Sequence, residues 1–160
     1  MSITLRDGRK DDLPQVLQLI QELAEFERAS QEVEVTLEEM ERDSFGEKPI
    51  FSFFVTEDTE QSKIVGLALY FYSYSTWKGK CIYLEDLIVT EAYRGRGLGK
   101  QLLERVIQKA QEEDARRVVW QVLDWNTPAI EFYKSIGASV LSEWLTCRLV
   151  KDQIHSYKLQ

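Results

Sequence analysis

The chain is short of the residues on which several protein classes depend, with two cysteines, three prolines and a single histidine among 160 residues. Cys81 and Cys147 stand far apart and form no CxxC pair, and the opening Met1-Ser2-Ile3-Thr4-Leu5-Arg6 lacks the apolar core of a signal peptide. A reducing, cytoplasmic setting is the expectation. The lone His155 supports neither a metal cluster nor a Ser-His-Asp hydrolase, so no metal is expected. Cys81, with no histidine near it, reads as a buried strand residue rather than a nucleophile. No apolar run approaches the roughly 20 residues that a membrane-spanning helix needs, so no membrane partner is expected.

Positive charge is scarce as well. The formal charge is −7, and the stretch Glu22 to Glu47 holds ten acids against Arg28 and Arg42, which leaves the remainder near +1. That balance speaks against a nucleic-acid surface and would draw a small cation to a cleft beside the acidic lobe. A solvated, glutamate-rich helix pair accounts for the same charges. With 44% apolar and 29% charged residues, the chain reads as one globular domain spanning 1–160, large enough to bury roughly 70% of its unfolded surface.

What is present falls into a regular order. Ile3 to Arg6 reads as a strand, and Asp11-Asp12-Leu13-Pro14 opens a helix whose Leu13, Val16, Leu17, Ile20, Leu23 and Ala24 recur at helical spacing. Thr36-Leu37-Glu38-Glu39 has the form of a capping box and starts a second helix. Ile50 to Thr56 and Lys63 to Ser75 read as a hairpin, and Trp77-Lys78-Gly79 turns the chain into a strand from Cys81 to Val89. A helix from Lys100 to Glu113, a strand from Val118 to Leu123, a helix opened by a Thr127 cap with Pro128 and stopped by Gly137, and a last strand from Trp144 to Val150 complete the series. The order β-α-α-β-β-β-α-β-α-β describes an α/β fold with one mixed sheet and helices on both faces.

Arg94-Gly95-Arg96-Gly97-Leu98-Gly99 lies between a strand and a helix, where free N–H groups and the helix dipole suit a phosphate-bearing cofactor. A P-loop would need Ser or Thr where Gln101 stands and Gly where Arg94 stands. A dinucleotide fingerprint beginning at Gly95-x-Gly97 would need its third glycine where Lys100 stands. An ordinary glycine-rich connection remains open, because glycine supplies positive φ anywhere.

Arg-x-x-Gly-x-Gly after the strand Leu84-Glu85-Asp86-Leu87-Ile88-Val89 resembles the acetyl-CoA loop of the GNAT N-acetyltransferase superfamily. Tyr74-Ser75-Thr76-Trp77-Lys78-Gly79-Lys80, Tyr83-Leu84-Glu85-Asp86 and Asp124-Trp125-Asn126-Thr127-Pro128-Ala129-Ile130-Glu131-Phe132-Tyr133-Lys134 further resemble the diamine (spermidine/spermine) and thialysine acetyltransferases. The resemblance implies a central, mostly antiparallel mixed sheet flanked by about four helices. It implies that backbone N–H groups of Arg94, Gly95, Arg96, Gly97, Leu98, Gly99 and Lys100 hold the pyrophosphate of acetyl-CoA, with Asn126 and Tyr133 as further contacts. Leu87, Ile88 and Val89 would supply the backbone donor to the reacting carbonyl.

Acetyl transfer needs a neutral amine, and a primary amine of pKa about 10.4 is neutral roughly once in a few thousand molecules at pH 7. Glu85 and Asp86, adjacent on a strand, are expected to point to opposite faces, so that only one enters a given cleft. Without context the pair reads as acids that cap or salt-bridge a strand end. The resemblance makes Glu85 the base, through water, with Asp86 as its acidic neighbour, and makes Tyr133 the acid that protonates the departing sulfur. Read from its helix alone, Tyr133 would be core, and Trp77 packs on a substrate's alkyl chain or seals the core.

Glu27, Glu85 and Asp86 match the acids that line the amine channel of polyamine-acetylating relatives, whereas Ser75 stands where those carry an aspartate. A smaller diamine or a lysine-like amine is the better expectation. The segment Ser139 to Leu149 is abbreviated relative to the family. The implied protein is an acetyl-CoA-dependent N-acetyltransferase acting on a small cationic amine, working as a homodimer. The competing readings are a non-catalytic acyl-CoA sensor domain and a protein or peptide N-acetyltransferase.

Overall fold

The computed structural model describes residues 1–160 and resolves them into two compact units, Met1–Gln121 and Val122–Gln160. The first holds β1 (Ile3–Asp7), α1 (Leu13–Phe26), α2 (Leu37–Phe45), β2 (Ser52–Asp58), β3 (Lys63–Ser75), β4 (Gly79–Val89), α3 (Leu98–Glu112) and β5 (Val118–Val119). The second holds α4 (Thr127–Ser135) and the short α5 (Lys151–Ser156). The sheet runs β1-β2-β3-β4-β5, antiparallel from β1 to β4 and parallel between β4 and β5. The mixed, mostly antiparallel sheet expected from the sequence is therefore present.

Alternation along the strands builds one core on each face of the sheet. Phe53 and Val55 of β2, Leu67 and Leu69 of β3 and Ile88 of β4 pack with Leu13, Val16 and Leu19 of α1 and Met40 of α2. On the opposite face, α3 buries Leu98, Leu102, Leu103 and Val106. Gly66 of β3 sits beneath α3, where a Cβ would come within 3.0 Å of Leu102 Cδ1 and 3.1 Å of Thr56 Cβ. A side chain there would crowd Leu102 and Thr56, so glycine suits the close approach of α3 to the sheet. The capping box forms as read, Thr36 Oγ1 accepting from the Glu39 N–H at 3.2 Å and Glu39 Oε2 accepting from the Thr36 N–H at 3.0 Å.

Three sequence readings change. Trp144 to Val150 is not a strand; no strand pairs with it, and an isolated β segment has no ladder to hold it. The strand expected from Val118 to Leu123 is reduced to Val118–Val119, which pairs only with Ile82 and Tyr83. The helix at Thr127 is capped one residue earlier than read: Asn126 is the cap, its Oδ1 accepting from the Ala129 N–H at 3.4 Å.

Candidate active site

The register of β3 against β4 slips between Leu69, opposite Asp86, and Tyr70, opposite Leu84. Glu85 is the extra residue of that β-bulge, which sharpens the local twist of β4 two residues after its last contact with β5. From Leu84 to Val89 the edge of β4 opposite β3 carries no strand partner. A bulge followed by an open edge frees backbone donors to meet a ligand, and Leu87, Ile88 and Val89 occupy that stretch.

The bulge falls at the two acids. Asp86 takes the register of the buried Leu69, on the face covered by α1, while Glu85 is exposed. Glu27 closes α1 as its C-cap, fixed by a Schellman arrangement in which the Arg28 N–H donates to Glu25 C=O and the Ala29 N–H to Ala24 C=O. Arg28 takes the left-handed conformation that such an ending usually gives to glycine, with φ of 60°. The three carboxylates feel one another: burial, then the charge of Glu85, then that of Glu27 push the Asp86 carboxyl up to about 7. Glu27 is likewise raised, by burial and then by Glu85. Glu85 also raises the partly buried Tyr83 phenol, after burial itself. The three acids that the family resemblance names together thus lie within electrostatic reach of one another, Asp86 part-buried and Glu85 exposed.

Beyond β4 a single 3-10 turn, Glu91–Tyr93, leads into the glycine loop. Gly95 and Gly97 have φ of 77° and 78°, and no atom lies within 4 Å of where a Cβ would stand on either. Their backbone therefore presents an open surface, and glycine is needed for conformation rather than room. Gly97 is the cap of α3, whose first intrahelical bond runs from the Gln101 N–H to Gly97 C=O, so the amides of Leu98, Gly99 and Lys100 precede the ladder. The Arg94 N–H donates to Glu91 C=O at 3.2 Å, so the open run of the loop begins at Gly95. The guanidinium of Arg94 folds back, Nε donating to Val89 C=O at 2.9 Å, and that of Arg96 lies over the Tyr93 ring at 5.0 Å. Lys100 pairs with Glu104 at 3.7 Å. This set of amides, glycines and basic side chains fits a pyrophosphate group.

Two anchors of this loop carried no sequence signal. The buried Tyr93 hydroxyl donates to Asp58 Oδ2 at 2.8 Å. Glu22 of α1 accepts from Thr90 Oγ1 at 2.8 Å and from the Glu91 N–H at 3.1 Å. Only the residue spacing of a contact map, and no local pattern, would have found either.

Trp77 lies elsewhere. It sits 80% exposed in the β3–β4 turn, and Asp86 is about 20 Å away along β4 at the usual rise per strand residue. The structure of one chain does not bring Trp77 to Glu27, Glu85 and Asp86. Ser75 Oγ accepts from the Trp77 and Lys78 N–H groups at 3.2 and 3.1 Å and from Arg117 NH1 at 3.3 Å, so it holds the turn. In the second unit, Tyr133 is partly buried on α4 with its ring 5.7 Å from that of Phe132, and Asn126 caps the same helix.

Comparison with known proteins gives these features a common context. Residues 13–138 match the family model described as Acetyltransferase (GNAT) family. Over 156 residues the chain is 38% identical to the thialysine N-epsilon-acetyltransferase of Mus musculus, covering 92% of each. It is 35% identical over 158 residues to spermidine/spermine N(1)-acetyltransferase-like protein 1 of Homo sapiens, covering 94% of this chain and 23% of that protein. Among solved structures, an integron cassette protein from the mobile metagenome of V. cholerae superposes with a TM-score of 0.78 at 23% identity, covering 97% of this chain and 96% of that one, which is agreement in fold. With the glycine loop, the bulged β4 and the family match in agreement, the chain belongs to the GNAT acetyltransferase family, N-acetyltransferase enzymes that draw the acetyl group from acetyl-CoA.

Proposed function

We propose that the enzyme acetylates a primary amine of a small cationic substrate, a diamine, a polyamine or a lysine-like amine such as thialysine, by direct attack. The acidic cluster at the β4 bulge carries this reading: Glu27, Glu85 and Asp86 form an electrostatically coupled group that favours a cation. Relatives at 35–38% identity are named for thialysine and spermidine/spermine acetylation, in keeping with such an acceptor.

Acetyl-CoA supplies an activated thioester carbonyl. The amides from Gly95 to Lys100 would hold its pyrophosphate and the backbone of Leu87 to Val89 would donate to its carbonyl oxygen; Asn126 is a further cofactor contact on the strength of the family resemblance. Arg94 and Arg96 frame the loop. Glu85 and Asp86 together take the proton of the substrate ammonium: Glu85 is the exposed member, through water, and Asp86, held near 7, is suited to accept a proton at physiological pH. Glu27 attracts a second positive charge, and Tyr133 holds the proton for the sulfur. Trp77 acts on the substrate only from a position outside the acidic cluster of its own chain.

We further read residues 1–160 as a single N-acetyltransferase domain, because the family match crosses the boundary between the two units. The protein is proposed to act in the cytoplasm as a homodimer; Trp144, Leu145 and Leu149 are exposed apolar side chains of the kind that a subunit contact covers. Light scattering on the purified protein decides the dimer. For the acceptor, incubation with acetyl-CoA and a panel of diamines, polyamines, lysine, thialysine and lysine-bearing peptides is expected to give thiol release with small cationic amines and not with peptides. Turnover confined to peptides, or to uncharged amines, would overturn the reading.

A further inference from the structure

Glu22 lies on α1, one residue before the half-buried Leu23 that packs against the core, at the point where the helix passes the end of β4. Both of its oxygens are engaged. Oε2 accepts from the Thr90 hydroxyl at 2.8 Å; Oε1 accepts from the Glu91 N–H at 3.1 Å and lies 3.6 Å from Arg94 NH2. Arg94 in turn donates through Nε to Val89 C=O at 2.9 Å and sits 5.7 Å from the Phe26 ring of α1. Thr90 is itself pinned to the sheet by its N–H, which donates to Val65 C=O at 2.9 Å. Thus one side chain of α1 grips the last residue before the 3-10 turn, the first residue of that turn and the first residue of the glycine loop.

A carboxylate that accepts from the amide opening a 3-10 turn performs the work of a cap, which its own residue Thr90 does not do with its side chain. The same carboxylate draws the Arg94 guanidinium back over α1 and β4, which leaves the loop's backbone from Gly95 onward free of that side chain. We propose that Glu22 is a positioning residue for the acetyl-CoA loop: it fixes where Gly95 to Gly97 stand relative to the open edge of β4 without touching the cofactor or the amine. This rests on the reading of residues 94–100 as the acetyl-CoA loop.

The test is calorimetric titration of acetyl-CoA into the wild-type protein, Glu22→Ala, Glu22→Gln and Thr90→Val, with steady-state kinetics on an accepted amine and thermal unfolding for each. Glu22→Ala is expected to weaken acetyl-CoA binding about 10-fold, the scale of losing charge-assisted hydrogen bonds at a partly exposed site, with the loss falling on KM for acetyl-CoA rather than on kcat at saturation. Glu22→Gln is expected to recover affinity to within about threefold of wild type, because its amide oxygen accepts from the Glu91 N–H and the Thr90 hydroxyl can turn to accept from its nitrogen. Thr90→Val should weaken binding about threefold, and combining it with Glu22→Ala should add little, because the two share one interaction. A wild-type protein that binds no acetyl-CoA would overturn the loop reading itself. A wild type that binds, with Glu22→Ala binding equally well or losing kcat at unchanged affinity, would overturn the role of Glu22 alone. If Glu22→Ala does not fold, Thr90→Val decides: wild-type affinity in that variant overturns the role, and the threefold loss supports it.

Discussion

Replacing Glu85 by glutamine removes one charge from the β4 bulge while keeping its size. The Asp86 carboxyl, pushed up to about 7, owes that position first to burial, then to Glu85, then to Glu27. Burial survives the substitution; the charge does not. Removing one like charge from a close carboxylate pair near a protein surface is worth on the order of 1 kcal/mol, close to one pH unit. The Asp86 midpoint in Glu85→Gln should therefore fall to about 6, and Glu27→Gln, which removes the weakest of the three causes, should lower it by less. Carbon NMR titration of the aspartate carboxyls reads this directly, with Asp86→Asn assigning the resonance. In the kinetics, the acid limb of kcat/KM should move to lower pH in Glu85→Gln, since Asp86 loses its proton earlier, while the plateau falls because the remaining base is weaker. A midpoint that stays near 7 in both variants would refute the coupling of the three carboxylates, and a wild-type midpoint near 4 would remove Asp86 as a proton acceptor.

Other expectations follow from single features. Asp86→Asn should stabilise the fold at pH 8: a carboxyl raised in the folded state binds more protons there than when unfolded, so its ionisation erodes stability as pH climbs from about 4 to about 7. The gain, discounted for partial solvent contact, is about 1–2 kcal/mol at pH 8 and should vanish at pH 4; urea unfolding at the two pH values checks it, and equal gains at both would refute it. Gly97→Ala forces a Cβ into φ of 78° and should cost ~1–2 kcal/mol together with acetyl-CoA affinity, whereas Gly99→Ala, inside α3 with Val89 Cγ2 at an ordinary 3.8 Å, should be neutral or stabilising by ~0.5 kcal/mol. Matching effects in thermal unfolding would show that the turn does not require the left-handed conformation. Tyr133→Phe should lower kcat about 10- to 100-fold with acetyl-CoA binding preserved in titration, the range for a lost general acid. Unchanged turnover would take Tyr133 out of the mechanism.

Elements governed by local rules were readable before the fold was known. The Thr36–Glu39 capping box, the helical stripe from Leu13 to Ala24, the hairpin and the glycine turn all depend on residues close in sequence, and each stands near where it was read. What escaped depends on partners far along the chain. Trp144 to Val150 is read as a strand from its apolar and β-favouring residues, yet no neighbouring strand receives it. The family resemblance names Glu27, Glu85 and Asp86 together, but nothing in the Glu85-Asp86 pair itself signals the bulge that the register with Leu69 and Tyr70 sets at Glu85. Glu22 was one glutamate among many in an acidic helix; its meaning comes from Thr90 and Glu91, 68 and 69 residues away. Asn126 and Thr127 compete for one cap, and the amide side chain takes it.

Amine-dependent release of the coenzyme A thiol, followed at pH 8 with wild-type protein and a short diamine, tests the central claim most directly. The account predicts release that requires the amine, yields one N-acetylated product per thiol by mass spectrometry, and falls sharply in Asp86→Asn. Tight binding of acetyl-CoA with no amine-dependent release for any small cationic amine would contradict it, and would describe a domain that holds the cofactor without using it.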